Sequence, residues 1–314
     1  MSEQVLVLGA GGRLGVCVAQ AFADQGWRVR AQTRRTLPKA LQGHAEPAQF
    51  DAADAGALAA AARGCQVVVN ALNPIYTRWT REALPLAEAG ITAALDVQAL
   101  LLYPGNVYNY GATMPERLDE SVPMAASTRK GRIRVEIEQR IRAATTTQGL
   151  RAVVIRAGDF YGGPGRGSWF DLAIAKSLRR GIVTYPGPLD VVHAWAYLPD
   201  LARWFVRAAE RRGEFATGFE TLNFPGHACS GRELIAALER VTGRPLRVRR
   251  LPWGTIRLLS PLVPMWRELA EMRYLWDVPH RLDGGKGERL LGPLSATSPE
   301  DALRAALAEL GLHP

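Results

Sequence analysis

Gln4-Val5-Leu6-Val7-Leu8-Gly9-Ala10-Gly11-Gly12-Arg13-Leu14-Gly15-Val16 is the stretch whose reading decides the fold. A short apolar run feeds a glycine cluster, and a helical pattern follows at once. The spacing GxxGxxG gives each glycine a task. Gly9 turns the chain sharply out of a strand. Gly12 omits a Cβ where a pyrophosphate approaches the backbone. Gly15 lets the new helix pack closely on the sheet. The helix start at Arg13 and Leu14 then offers unpaired N–H groups and the positive end of its dipole to a phosphate. A tight turn with no ligand has the same glycines. The strand before and the helix after favour a bound dinucleotide.

Outward from this stretch, strand and helix signals alternate. Strands are predicted at 5–8, 27–32, 48–50, 67–71, 100–103 and 152–156. Helices are predicted at 14–25, 55–63, 78–95 and 130–144. In the last helix Ile133, Ile137 and Ile141 recur at i+4 and mark a buried stripe. Such alternation requires a parallel sheet with crossover helices. The predicted class is α/β: a doubly wound parallel-sheet Rossmann fold with a small C-terminal substrate lobe. Residues 1–160 form the dinucleotide-binding domain and 161–314 the substrate-binding lobe, with 190–224 returning to the Rossmann sheet. Within that return, a strand at 191–198 precedes a helix capped near Asp200, and 221–224 reads as the last sheet strand. Ser298-Pro299 starts a final helix.

The chain has 314 residues, 47% of them hydrophobic and 22% charged, which is ordinary globular composition. No apolar run reaches the ~18 residues of a membrane span. The N-terminus lacks a basic region before its apolar run, so no signal peptide is predicted. The three cysteines are far apart and form no metal spacing. A reduced, cytoplasmic protein with no metal and no membrane partner is the expectation. The net charge of +9 raises nucleic acid as a partner. Scattered arginines without interleaved aromatics argue against it, and an anionic cofactor and a small-molecule substrate account for part of the charge. A homodimer is left open.

After the second strand come Thr33-Arg34-Arg35, where an acidic residue would grip a ribose 2′-hydroxyl. The two arginines favour a 2′-phosphate instead, so NADP is preferred over NAD. Asp51 is positioned to accept from the adenine amino group, or to serve as a turn residue. Ala71, Leu72 and Asn73 end the fourth strand, where ligands gather, and leave room for adenosine.

With these motifs in place the chain resembles the extended short-chain dehydrogenase/reductases, the NAD-dependent epimerase/dehydratase family. GAGGRLG resembles the family's glycine loop and NALNP its fourth-strand end. KGRIRVEIE resembles the helix carrying the active-site lysine, and IRAGDFYGGPG the loop that places Ala157 and Asp159 at the cofactor. AYLPDLARWFVRAAE and SGRELIAALERVTGRP resemble later family segments. The resemblance implies chemistry carried by Ser/Thr, Tyr and Lys, the last two in a YxxxK helix. Lys130 matches the lysine, and four residues earlier stands Ala126 instead of the tyrosine. Gly105 or Asn106 occupies the serine's neighbourhood.

The departure leaves two readings. In the first, Lys130 acts as general acid or base, as in the isoflavone-reductase-like relatives, while Asn106, Tyr108 or Tyr161 orients a carbonyl. In the second, Lys130 holds ribose hydroxyls and the protein binds or senses NADP, as in the NmrA-like regulators. The first leads: an oxidoreductase acting on a small carbonyl, alcohol or conjugated substrate. Nucleotide-sugar epimerase or dehydratase chemistry is third, because it uses the missing tyrosine. Tyr76, Tyr161 and His193 are the candidate substrate contacts. A structural histidine and packed tyrosines are their plainer alternatives. Trp79 roofs the same pocket or packs in the core. The segment 253–266 is expected to complete the small lobe.

Overall fold

The computed structural model describes residues 3–215 and 218–312. Strands β1 (Gln4–Leu8), β2 (Arg28–Thr33), β3 (Glu46–Gln49), β4 (Val67–Asn70) and β5 (Leu100–Asn106) lie in the order β3-β2-β1-β4-β5. Arg151–Ala157 and then Phe219–Asn223 extend the sheet beyond β5, giving seven parallel strands. The side chains of β1 explain why its sequence is apolar from Val5 to Leu8. Val5 and Val7 face one helical layer, Leu6 and Leu8 the other.

Helices α1 (Arg13–Asp24) and α5 (Leu198–Glu210) cover the first face, through Val18, Phe22, Leu201 and Phe205. Helices α2 (Ala55–Ala62), α3 (Trp79–Asp96) and α4 (Arg129–Thr147) cover the second, where Ile133, Ile137 and Ile141 are buried as their spacing predicts. The strand order reverses between β1 and β4. The crevice at their carboxyl ends is where an open α/β sheet places a ligand.

Part of the 190–224 region departs from the expectation. Phe219–Asn223 joins the large sheet, and α5 packs on α1. Val192–Tyr197 instead forms a separate three-stranded sheet with Asp159–Tyr161 and His227–Ser230. Helix α5 starts at Leu198 without a side-chain cap. Asp200 is buried and accepts from the Thr297 N–H at 2.8 Å, so it ties down the C-terminal segment rather than capping the helix.

The lobe adds α6 (Gly231–Thr242), opened by a Ser230/Glu233 capping box, and a strand pair of Arg247–Arg250 with Ile182–Tyr185. Helices α7 (Trp253–Leu259) and α8 (Pro264–Glu271) follow. A last helix, Pro299–Glu309, starts at Ser298, whose side chain accepts from the Asp301 N–H.

Candidate active site

The glycine loop has the geometry its spacing requires. Gly9 has φ +75°, and a Cβ there would lie 2.9 Å from the Ala71 carbonyl and the Leu72 nitrogen. The end of β4 therefore touches the loop directly. A Cβ on Gly15 would lie 2.2 Å from the Gly9 oxygen, so only glycine lets α1 approach. At Gly12 the nearest atom to a Cβ would be the Gly9 oxygen at 3.4 Å, and no side chain caps α1. An open space in front of uncapped helix N–H groups fits a pyrophosphate.

Sequence reasoning missed Gln32. It accepts from the Gly9 N–H at 2.9 Å and donates to the Phe50 oxygen at 2.7 Å, clasping the loop to the end of β3. Its place one residue before Thr33, inside an alternating strand, gave no sign of this. The Arg13 side chain leaves the cradle. Its guanidinium pairs with buried Asp171 at 2.9 Å and donates to the Gly162 oxygen at 2.8 Å, drawing the glycine-rich loop after Tyr161 over the start of α1.

At the adenosine end, Arg34 and Arg35 are exposed, and neither is in an ion pair among the described residues. Ala71 and Leu72 are half-buried beside Gly9, and Asn73 is exposed. Asp51 is exposed. Its carboxylate accepts from the Ala53 N–H at 3.0 Å and shapes a turn.

At the other end, three loops and α4 converge. Asn106 closes β5, pairs in register with Ala157, and accepts from the Tyr108 N–H at 3.0 Å. The Tyr108 hydroxyl lies 2.8 Å from that of Tyr76. Burial, followed by the Asp159 charge, pushes the Tyr76 phenol up to about 12. Burial, and then the Tyr76 and Asp159 charges, hold Tyr108 well above the usual phenol range. Trp79 belongs to the core beneath, donating to the Pro74 oxygen at 2.9 Å.

Lys130 shows the largest departure from expectation. It is 0% exposed, and its ammonium pairs with Glu268 and, at 2.7 Å, with Glu271, both on α8. Its backbone N–H donates to Glu271 at 2.9 Å, and Arg129 pairs with Glu268 at 2.7 Å. Desolvation pushes the Glu268 carboxyl up, but hydrogen bonds from Lys130 and Arg129 outweigh it and hold the group below the usual range. The segment 253–266 thus does more than complete the lobe, because it leads into the helix that covers the lysine. The same ammonium sits 5.2 Å from the centre of the Tyr76 ring. A tyrosine is therefore beside the lysine after all, supplied by the loop after β4 instead of by position 126.

His193 and Tyr161 are both packed by neighbours in the lobe. His193 is buried and stacked on Trp276, with ring centroids 4.2 Å apart. One ring nitrogen lies 2.9 Å from Asp159 and the other 3.2 Å from the Leu275 oxygen, so both are occupied. Asp159 is thereby engaged with His193. Tyr161 faces the lobe core, against Phe170, Trp195 and His227. A second internal ion pair, Arg156 with Glu138 at 2.6 Å, is completed by the Tyr110 hydroxyl at 2.8 Å and braces α4 against the sheet. No cluster of three or more metal-ligating side chains occurs among the described residues. No described helix is long and apolar enough to cross a membrane.

The reversed parallel sheet and the open glycine cradle define a dinucleotide-binding α/β protein. The chain belongs to the NAD dependent epimerase/dehydratase family, whose sequence profile matches residues 5–218. It is similar in structure to UDP-glucose 4-epimerase from Brucella ovis in complex with NAD, at 18% identity, with 99% of each chain covered and a TM-score of 0.78. It is also similar to UDP-glucuronic acid 4-epimerase from Bacillus cereus, in complex with UDP-glucuronic acid and NAD. There the identity is 17%, the coverage 98% of this chain and 99% of that one, and the TM-score 0.77. A putative epimerase from Burkholderia cenocepacia J2315 gives 20% identity, 98% and 97% coverage, and a TM-score of 0.77. No curated protein sequence matches the chain.

Proposed function

We propose that the protein is an NADP(H)-dependent oxidoreductase acting on a small carbonyl, alcohol or conjugated substrate, with the Tyr76–Tyr108 hydroxyl pair replacing the family's tyrosine. The observation that carries this reading is the Tyr76 ring beside Lys130, with its hydroxyl on Tyr108. The glycine cradle and the start of α1 would hold the dinucleotide, whose nicotinamide would supply or accept the hydride. Both phenols are protonated at neutral pH, as any phenol is, and burial raises them further, so one hydroxyl can donate to a substrate oxygen while the other supports the anion left behind. Asn106 fixes Tyr108 through its N–H. Lys130 places its charge 5.2 Å from the Tyr76 ring while paired with Glu268 and Glu271.

The chemical test is NADPH oxidation against a panel of aldehydes, quinones and enones. Tyr76→Phe and Tyr108→Phe should each lower turnover by about 100-fold or more, the usual scale of general acid–base help. Turnover unchanged in both variants would remove the pair from the chemistry.

Cofactor choice rests on Arg34 and Arg35, exposed and free of ion pairs among the described residues. A charge-assisted hydrogen bond contributes about 1.5–3 kcal/mol, so NADPH should bind roughly ten-fold or more tighter than NADH. Calorimetry on the wild type and on Arg34→Ala/Arg35→Ala checks this, and equal wild-type affinities would overturn the preference.

The buried, doubly paired Lys130 favours a second reading, a non-catalytic NADP-binding regulator. Tight NADPH binding with no turnover on the whole panel would select it. UDP-sugar epimerisation, the activity named for the solved neighbours, stands third because Ala126 occupies the tyrosine's position.

A further inference from the structure

From Arg244 to Arg267 the chain holds six arginines and no aspartate, glutamate or lysine. The same stretch holds four of the seven large hydrophobic side chains exposed among the described residues. Leu258 and Leu262 are 76% and 78% exposed, with Met265 and Val248 beside them in the chain. Arg247, Arg249, Arg250 and Arg257 are exposed and form no ion pair with any described residue. A soluble surface would interleave acids among so many cations and would not leave two leucines in water four residues apart.

We infer that this strap, Arg247–Arg267, docks the protein on the surface of an anionic lipid bilayer. The apolar tips at Leu258, Leu262 and Met265 enter the headgroup–acyl boundary, and the flanking arginines meet lipid phosphates. Docking of this kind is peripheral, since α7 and α8 have 7 and 8 residues. A nucleic acid would use the arginines equally well, but it would leave the leucines in water, so the lipid surface fits the whole patch better. The inference does not depend on whether hydride moves at the site.

The test is co-sedimentation of the full chain with phosphatidylcholine vesicles, with and without phosphatidylglycerol. Wild type should sediment with the anionic vesicles and remain in solution with the neutral ones. Leu258→Asp/Leu262→Asp and Arg249→Glu/Arg250→Glu should each lower the partition constant by roughly ten-fold or more. All four side chains are exposed, so wild-type thermal melting is expected for both variants, and either pair suffices if the other fails to fold. Absence of binding to anionic vesicles at low salt would overturn the inference. Vesicle binding that ignores the leucine pair, yet is competed away by double-stranded DNA, would replace the bilayer with nucleic acid.

Discussion

Gly12→Val is expected to abolish dinucleotide binding in a protein that still folds, whereas Gly15→Ala should damage the fold itself. The two glycines lie three residues apart, and the difference comes from what surrounds them. Beyond Gly12 a Cβ meets only the Gly9 oxygen at 3.4 Å, an ordinary contact, so a valine is tolerated and projects into the space of the pyrophosphate. Affinity should fall by on the order of 100-fold or more, equivalent to about 2.8 kcal/mol. At Gly15 a Cβ would stand 2.2 Å from the same oxygen, and neither backbone can give way without moving the loop or the helix. The cost should be about 3 kcal/mol, the upper end of core overpacking. Calorimetric titration with NADPH and urea unfolding separate the two effects. A folded Gly12→Val that binds cofactor normally would mean that the phosphate loop lies elsewhere.

Lys130→Met should destabilise the protein by about 3–5 kcal/mol, the cost of stranding one side of a buried ion pair. Glu268 is 2% exposed and would lose the ammonium. Arg129, which also pairs with Glu268, softens the loss toward the lower figure. Adding Glu268→Gln and Glu271→Gln should return a large part of the stability, because neutral amides do not need the cation. Urea midpoints of the single and triple variants decide the matter, and a single variant as stable as wild type would show that the pairing carries no weight.

The pH dependence follows from the depressed Glu268 carboxyl. Its contribution is fully present above the unfolded glutamate value of about 4.3 and is lost as pH falls through the lower folded value. Wild type should therefore lose stability in acid more steeply than the triple variant.

The parts of this molecule that could be read from sequence are those whose physics is local. The run from Gln4 to Val16 sets a strand, a turn and a helix in consecutive residues, and the Ile133, Ile137, Ile141 stripe needs only helical spacing. The seven-stranded sheet follows once these units are chained together. Nothing in Val192–Tyr197 marks which sheet it joins, because every residue from His193 to Tyr197 is buried, as in a strand of either sheet covered on both faces. Glu268 was invisible for a different reason. In Met265-Trp266-Arg267-Glu268-Leu269 it looks like the solvent-facing acid of an amphipathic helix, and nothing nearby hints at a lysine 138 residues earlier. The family's own spacing points to position 126 for the tyrosine beside that lysine, while the fold supplies Tyr76 from another loop.

The separation between Lys130 and Glu268 also bears on how the chain matures on the ribosome. At roughly 5–20 residues per second, the carboxylates that neutralise this lysine emerge on the order of ten seconds after the lysine itself. Through that interval the ammonium has neither Glu268 nor Glu271 and must stay hydrated. The ion pairs that bury Lys130 thus belong to the last third of the chain to be made, and the lysine can be buried only after α8 has been synthesised.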